Sequence, residues 1–279
     1  MIFRARQFEW SFPRAAVVMG IVNVTPDSFY DGGRFLDPAA AVAHGLELVA
    51  EGAEILDIGG DSSRPGAAPA TEDEELARVI PVIAALAAQT RVALSIDTTK
   101  PAVARAALAA GACIVNDVAA HRRDDSLWKV VAEAGAGYIC MHAQGPPATM
   151  QTAPAYHDVV REVAAFFADR LDQIERAGVP AEHIVLDVGI GFGKTLEHNL
   201  QLLAGLGEFA RFKRPTLLGV SRKSFIHKLL NTALNERLPA SLACASMAIA
   251  AGVQFIRTHD VAATVQAVRM TEAILAHRK

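Results

Sequence analysis

A repeated pattern of apolar and polar positions runs along most of this chain. Five times an alanine-rich stretch ends in a glycine, a short apolar run follows, and the run stops at a polar side chain. The repeats are EGAEILDIGG from Glu51, AAGACIVNDV from Ala109, EAGAGYICMH from Glu133, RAGVPAEHIVLDVG from Arg176 and AAGVQFIRTHD from Ala250. Glycine adopts the left-handed backbone after a helix without steric cost, and a buried parallel strand is a short apolar run. Each repeat therefore predicts a helix, a turn and a strand.

Extending the count to all apolar runs predicts eight strands with helices between them. The strands are predicted at residues 17–23, 54–59, 92–98, 113–118, 137–141, 183–188, 216–220 and 255–258. The helices are predicted at 38–51, 72–88, 101–110, 125–134, 157–177, 196–209, 241–251 and 261–276. Pro38 and Pro101 suit first-turn positions, and Ser241, after Pro239, is predicted to cap its helix. Strict alternation makes the strands parallel.

Eight such units predict a single (β/α)8 TIM barrel over residues 1–279, with its active site on the loops after the strands. The polar residues at the predicted strand ends are Asp57, Asp97, Asn116, His142, Asp187, Arg257 and His259. An open, doubly wound sheet is the rival architecture, but it binds ligands mainly at its switch point and would not need polar side chains at nearly every strand. The first two loops, 24–37 and 60–71, are long and rich in Gly, Pro, Ser and Asp. We expect them to be mobile lids.

Composition excludes several other classes of function. The 27 basic and 30 acidic residues give a formal charge of −3, which does not favour nucleic acid. The N-terminus has no continuous apolar core, so we expect no signal peptide and a cytoplasmic protein. The longest alanine-rich apolar stretch, 242–253, is too short for a transmembrane helix, and no membrane association is expected. The three cysteines lie inside apolar runs without CxxC spacing, as small core residues do.

The strand ends group into two chemical clusters. Asp97, Asp187, Asn116 and Lys223 combine acceptors, a donor and an amide, which suits a flat heterocycle with alternating ring N–H and N atoms. The second cluster contains Arg64, Arg257 and His259, with Asn23 adding an oxygen that can ligate Mg²⁺. It describes a site for a phosphate or pyrophosphate group. For any one of these residues a structural ion pair or helix cap is the alternative role.

One motif is misleading. GIGFGKT, at residues 189–195, resembles a Walker A loop but has three residues between Gly189 and Gly193 where that loop has four. We therefore predict no Walker nucleotide site, and expect the loop to place Phe192 over the barrel mouth. The histidines show neither HExxH nor paired His/Cys spacing, so no zinc site is expected.

Taken together, the motifs resemble those of the dihydropteroate synthases. They are GIVNVTPDSFYDGG, DIGGDSSRPGA, SIDTTKPAVA, GACIVNDV, MHAQGPPATMQ, DVGIGFGKT, GVSRKSFI and RTHDV, and the match runs from about Val18 to Val261. The resemblance implies a pterin-binding transferase that condenses 6-hydroxymethyl-7,8-dihydropterin pyrophosphate with p-aminobenzoate, giving 7,8-dihydropteroate and pyrophosphate with Mg²⁺. We hypothesise a dissociative, SN1-like substitution. Small-molecule substrates and a homodimer formed through the later helices are the expected partners.

The resemblance also implies residue roles. The pterin ligands and walls would be Asp97, Asn116, Met141, Asp187, Phe192, Gly219 and Lys223. The pyrophosphate ligands would be Asn23, Ser63, Arg64, Arg257 and His259, with Asn23 as the Mg²⁺ ligand. The p-aminobenzoate site would be formed by Phe29, Pro65, Phe192 and Ser224. The catalytic residues would be Asp31, Arg64, Asp97, Lys223, Arg257 and His259, with Lys223 a pterin ligand rather than a nucleophile. Ser224 also opens a helical pattern at 225–230, whose N-terminus would attract an anion.

Departures from the family pattern and alternative functions remain. Asp61 and Ser63 are one carbon shorter than the usual Glu and Thr, Val188 replaces a proline, and Tyr30 stands where a small residue is common. A corrinoid-type methyltransferase that binds methyltetrahydrofolate is the runner-up, although the chain has no cobalamin module. A catalytically silent pterin-binding relative is the third possibility.

Overall fold

Ten strands form a closed barrel and a separate hairpin in the computed structural model of the chain, which describes residues 1–25, 37–61, 69–120, 124–145 and 149–278. The hairpin strands are β1 (Ile2–Ala5) and β2 (Phe8–Ser11). The barrel strands are β3 (Val17–Asn23), β4 (Ile55–Gly59), β5 (Ala93–Asp97), β6 (Ile114–Asp117), β7 (Gly137–Met141), β8 (Ile184–Asp187), β9 (Thr216–Gly219) and β10 (Phe255–Thr258). They close in chain order, β10 pairs with β3, and all eight pairings are parallel. The predicted (β/α)8 barrel is confirmed.

Helices alternate with the barrel strands. They are α1 (Pro38–Ala50), α2 (Glu72–Gln89), α3 (Pro101–Ala110), α4 (Ser126–Ala134), α5 (Val159–Arg176), α6 (Leu196–Ala204), α7 (Ser224–Leu230), α8 (Leu238–Ala250) and α9 (Val261–Leu275). Pro38 and Pro101 begin α1 and α3 as predicted. Within the described ranges, none of the helices is long and apolar enough to span a lipid bilayer.

Two helix boundaries differ from the prediction by three residues or more. The predicted helix at 196–209 stops at Ala204, and a 3₁₀ helix at Leu206–Phe212 follows Gly205. The cap role of Ser241 is wrong, because α8 already begins at Leu238 and Pro239 occupies its first turn. The Ser241 hydroxyl instead donates to the carbonyl of Arg237 at 2.9 Å, within the helix.

Residue parity divides each barrel strand between two environments. In β4, Leu56 and Ile58 belong to the apolar layer between the barrel and the helices, whereas Ile55 belongs to a separate cluster inside the barrel. Because side chains alternate along a strand, Asp57 shares the inward face with Ile55. The amino half of the barrel interior is therefore apolar, and polar side chains follow toward the carboxyl ends.

The N-terminal hairpin extends the apolar cluster inside the barrel. The Phe3 and Trp10 rings stack at 5.4 Å, and Phe3 meets Phe255 of β10 edge-on at 5.5 Å. Gly137 permits this packing, because a Cβ there would lie 2.5 Å from Cζ of Phe3. The hairpin was not predicted from the sequence, although buried Phe3 and exposed Arg4 carry the alternation typical of a strand.

Removing the phenyl ring of Phe3 from the hairpin should destabilise the fold. Phe3 is 1% exposed, so Phe3→Ala should lower the free energy of unfolding by about 3–5 kcal/mol through lost burial and the cavity left behind. Urea unfolding measures the change. Ile2→Ala is the matched control, because Ile2 is 41% exposed in the same strand and should cost less than about 0.5 kcal/mol. Equal losses in the two variants would contradict this packing role.

Candidate active site

A cavity of about 430 Å³ lies at the carboxyl ends of the barrel strands. Seven of the predicted site residues line it: Asn23, Asp97, Phe192, Lys223, Ser224, Arg257 and His259. They come from five strand ends or the loops after them, which parallel strands bring to one end of a barrel. The prediction that these distant segments meet at one mouth therefore agrees with the geometry.

Two carboxylates orient the Arg257 guanidinium across the barrel. Its Nε donates to Oδ2 of Asp57 at 2.6 Å, and its Nη2 donates to Oδ2 of Asp97 at 2.8 Å. Burial raises the pKa of Asp97, and the charge of Arg257 opposes that rise. Asp57 was recognised as a polar strand end but was given no role. The role of Asp57 depends on its contacts with residues on other strands, and a single sequence does not show which strands face each other.

Four predicted pterin residues do not line this cavity: Asn116, Met141, Asp187 and Gly219. Asn116 is 3% exposed, and its Nδ2 donates to Oδ2 of Asp57 at 2.9 Å. Met141 packs in an apolar cluster with Phe192. Gly219 pairs with Arg257 in the sheet, where a Cβ would lie 3.8 Å from Cβ of Arg257. These four residues therefore adjoin the residues that line the cavity, and Asn116 and Asp187 keep 3% and 6% of their surface exposed.

Lys223 lies between the loop after β8 and the mouth of the barrel. Its Nζ donates to the carbonyl of Ile190 at 2.7 Å and lies 4.1 Å from the centre of the Phe192 ring. Burial lowers the pKa of Lys223 to about 8, although the nearby charge of Asp187 opposes this. Burial also raises the pKa of Asp187, which accepts a hydrogen bond from the backbone N–H of Gly189 at 2.8 Å. The expectation that Phe192 reaches the mouth is confirmed.

All three residues of the SRK segment, 221–223, line the cavity, and two of them also bind the neighbouring strand end. The Ser221 hydroxyl lies 3.0 Å from Nδ1 of His259 and also accepts the backbone N–H of that histidine at 3.2 Å. Arg222 forms an ion pair with Asp260, with its Nε 3.0 Å from Oδ2. The segment therefore links the ends of β9 and β10.

The loop after β7 contributes residues that were not assigned from the sequence. Met150 and Gln151 line the cavity, and the Gln151 amide donates to the carbonyl of Gly191. Met150 is buried against Phe192 in the same apolar cluster as Met141. Met150 and Gln151 end the motif MHAQGPPATMQ, but a methionine followed by an amide has no spacing that would indicate a binding role.

The lid predictions fall on residues outside the described ranges: Phe29, Asp31, Ser63, Arg64 and Pro65. The described base of the second loop is held by Asp61. Its Oδ1 accepts the backbone N–H of Ala70 at 3.0 Å, and its Oδ2 lies 3.0 Å from Nζ of Lys100. The shorter aspartate thus still joins the two ends of this loop to the start of α3.

The lysine of the GIGFGKT segment contacts backbone carbonyls. Lys194 is 1% exposed, and its Nζ lies 2.9 Å from the carbonyl of Gly189, 3.0 Å from that of Phe192 and 2.9 Å from Nδ1 of His142. Burial lowers the pKa of Lys194 to about 7, whereas the acceptors around it favour the protonated form. His142, a predicted polar strand end, therefore points to this buried lysine and does not line the cavity. The loop geometry explains the segment without a nucleotide.

The comparisons with known proteins agree with this geometry. The profile of the pterin binding enzyme family matches residues 19–259. Escherichia coli dihydropteroate synthase is 48% identical over 262 residues, covering 94% of this chain and 93% of that relative. A Yersinia pestis dihydropteroate synthase structure with a sulfonamide drug complex has a TM-score of 0.94 and 42% identity, covering 99% and 100%. A Xanthomonas albilineans dihydropteroate synthase in complex with 7,8-dihydropteroate has a TM-score of 0.89 and 42% identity, covering both chains fully (100% and 100%).

The barrel and its polar mouth therefore define a pterin-binding enzyme. Within that class, the chain belongs to the dihydropteroate synthase family, whose members are transferases.

Removing the Lys194 ammonium should destabilise the loop and the barrel together. Lys194→Met keeps most of the side-chain volume but leaves the buried carbonyls of Gly189 and Phe192 without this donor. The Gly189 carbonyl still accepts the backbone N–H of Phe192 at 3.1 Å, whereas the Phe192 carbonyl loses its donor. A buried unsatisfied acceptor costs about 1–3 kcal/mol, so we expect a loss of that size in the free energy of unfolding, measured with urea. Lys129→Met is the control, because the side chain of Lys129 is 58% exposed and only pairs with Asp125. A loss no larger than in the control would show that the buried contacts contribute nothing to stability.

Proposed function

We propose that this chain condenses 6-hydroxymethyl-7,8-dihydropterin pyrophosphate with p-aminobenzoate to form 7,8-dihydropteroate and pyrophosphate. The observation that carries the proposal is the convergence of Asp97, Lys223, Arg257 and His259 on one cavity. Carboxylates there can accept hydrogen bonds from an amino-pyrimidine edge, and the cations can receive a pyrophosphate. The pterin substrate carries both a heterocycle and a pyrophosphate, so it matches the carboxylates and the cations of the site.

The pterin would occupy the part of the site beside Lys223 and Phe192. Asp97, Asn116, Asp187 and Lys223 would supply the polar contacts. Burial supports these roles, because Asn116 and Asp187 are only 3% and 6% exposed. Hydrogen bonds to a ligand in such a water-poor environment discriminate strongly against ligands that lack the matching groups. Met141, packed with Phe192, and Gly219, paired with Arg257, would complete the walls of the pocket from behind those two lining residues.

The pyrophosphate would lie toward Arg257 and His259. Asn23 lines the same cavity and would hold Mg²⁺ together with the substrate phosphates. The described residues contain no group of three or more His, Cys, Asp or Glu side chains that could hold a metal by themselves. A single Asn23 oxygen suits an ion whose remaining ligands are phosphate oxygens and water. When bound, Mg²⁺ would supply positive charge beside the leaving group. Ser63 and Arg64 would join from the second loop.

p-Aminobenzoate would enter above the pterin. Phe192 would form one wall, while Phe29 and Pro65 would contribute from the two long loops. Ser224, at the first turn of α7, would lie near the carboxylate of this substrate. Support for this orientation is that Ser224 lines the cavity and is exposed to solvent, so the anionic end would face the outside and the amine would face the pterin.

The chemical step would be a dissociative substitution. The bond between the pterin methylene and the pyrophosphate oxygen breaks, and its electron pair leaves with pyrophosphate. Arg257, His259 and Arg64 hold that leaving group, while Asp97 balances the positive charge on the pterin methylene, with Asp31 as a further member of the closed site. The amine of p-aminobenzoate then forms the new C–N bond with its nitrogen lone pair and gives up a proton to solvent water. Lys223 stays a pterin ligand throughout.

We also propose a cytoplasmic homodimer formed through α8 and α9. Met247, Met270 and Ile274 are 70%, 64% and 59% exposed on these two neighbouring helices. Large exposed apolar side chains on neighbouring helices are typical of association surfaces. A second copy of the chain would bury them.

Turnover tests the proposed reaction directly. The wild-type enzyme should incorporate labelled p-aminobenzoate into dihydropteroate, and Asp97→Asn should lower kcat by roughly 10²–10³ because the carboxylate's charge acts mainly in the transition state. Calorimetry should show that the variant still binds the pterin substrate.

The control for this experiment is Asp125→Asn, which removes a surface carboxylate paired with Lys129. It should keep wild-type kcat. Wild-type kcat in Asp97→Asn would refute the role of Asp97, and absence of turnover in the wild type would favour a catalytically silent pterin-binding protein.

Binding of the pterin should weaken as pH rises through about 8, the lowered pKa of Lys223. The protonated amine donates to the pterin, so the contribution of Lys223 to affinity should be full below this pH and fall above it, whereas an ordinary lysine would keep its charge to about pH 10. Calorimetry with 6-hydroxymethylpterin, corrected for the ligand's own ionisation, measures the profile. Lys223→Arg keeps its charge over this range and should remove the dependence on this group. Constant wild-type affinity up to about pH 9.5 would contradict the assignment.

A further inference from the structure

Asp57 lies one layer deeper in the barrel than Asp97, which lines the cavity. Its register partner on β5 is Ser95, whereas Asp97 pairs with Gly59, two residues further along β4. The Asp57 side chain is fully buried, with 0% exposure, while Asp97 retains 18%. Asp57 therefore cannot meet a ligand at the cavity surface as Asp97 can.

One oxygen of Asp57 joins the two proposed halves of the site. Oδ2 accepts from Nε of Arg257 on β10 and from Nδ2 of Asn116 on β6. Neither strand is a neighbour of β4 in the barrel, so both contacts cross its interior. The carboxylate thus touches a residue of the proposed pyrophosphate site and a residue of the proposed pterin site at once.

The two carboxylates on Arg257 are not equivalent. Asp97 lies at the cavity, where a bound pterin would compete for its oxygens, whereas Asp57 is shielded from any ligand. When the pterin binds, the contact with Asp57 would persist and keep the guanidinium plane in place. The two carboxylates accept from Nε and Nη2, so Nη1 would be presented to an anion.

We propose that Asp57 is the positioning residue that holds Arg257 in the orientation needed to bind pyrophosphate and, through Asn116, aligns that residue with the pterin. This role rests on the proposed function. It gives Asp57 no direct contact with a substrate.

Stability alone does not account for this arrangement. A buried ion pair is weak support for the folded state, because desolvation of both charges offsets their attraction. Oδ1 of Asp57 has no hydrogen-bond partner among the described residues, so the carboxylate is not fully satisfied by the framework. A fixed guanidinium in a water-poor site is, in contrast, what preorganised anion binding requires.

The test compares the affinities for two probes, 6-hydroxymethylpterin pyrophosphate and 6-hydroxymethylpterin, measured by calorimetry. Their ratio reports the contribution of the pyrophosphate group. Asp57→Asn is nearly isosteric and should lower that ratio by roughly tenfold or more. The charged hydrogen bond with Nε of Arg257 is lost, and the new amide N–H can face the N–H of Arg257 or of Asn116. Ser95→Ala is the matched control, because Ser95 is fully buried in the same layer and its hydroxyl has no partner in the described part of the chain. This control should keep the wild-type ratio.

A double-mutant cycle separates positioning from general destabilisation. If Asp57 acts through Arg257, the pyrophosphate contribution in Asp57→Asn/Arg257→Ala should equal that in Arg257→Ala alone. Additive losses, or a wild-type ratio in folded Asp57→Asn, would overturn the inference. Should Asp57→Asn fail to fold, Asp57→Glu provides the same test, because it keeps the charge but moves the carboxylate by one methylene from its place beside Nε of Arg257. It should lose most of the pyrophosphate contribution, and a wild-type ratio there would overturn the inference.

The wild-type protein distinguishes failure of this inference from failure of the proposed function. A wild type that binds both probes equally would refute the pyrophosphate site itself, and the positioning role with it. A wild type that prefers the pyrophosphate ester, with an unchanged preference in Asp57→Asn, would refute only the role of Asp57.

Discussion

Closure of the eight-stranded sheet is the constraint on which the rest of this structure depends. Closure gives every strand one face toward a narrow interior and one toward the helices. Polar residues on the inward face must then find partners across the barrel or meet the cavity. Asp57, Asn116 and Arg257 do the first, and Asp97 and Arg257 also reach the cavity. The site is thus a consequence of how the barrel closes.

Buried charges in this protein are compensated in two different ways. Arg257 lies between the carboxylates of Asp57 and Asp97, which leaves charged groups close to where a substrate would bind. Lys194 is surrounded instead by carbonyl oxygens and His142, away from the cavity. The first arrangement leaves groups available for chemistry, while the second fixes the loop that carries Phe192. The same principle, that a buried charge needs close partners, produces both.

Prediction from the sequence succeeded for features that the local sequence of a single strand or helix determines. It failed for features that depend on contact between segments far apart in the chain. The apolar runs located all eight barrel strands, and Gly and Pro marked most helix ends. Ser241 was misplaced because a serine shortly after a proline suits a helix cap, whereas Pro239 itself already lies in the first turn of α8. The hairpin was missed because its strands are short, and only packing of Phe3 and Trp10 against Phe255 gives them a buried face.

The sequence by itself determined the order of strands and helices, the placement of polar residues at the carboxyl ends of the strands and, through its motifs, the family. Only the tertiary structure decided which of those polar side chains pair with one another. It showed that Asp57 supports Arg257 and Asn116, that His142 contacts Lys194, and that Met150 packs with Phe192. The physical reason is that periodicity and capping are local properties of a chain, whereas a hydrogen bond across a barrel depends on closure and register between strands far apart in sequence.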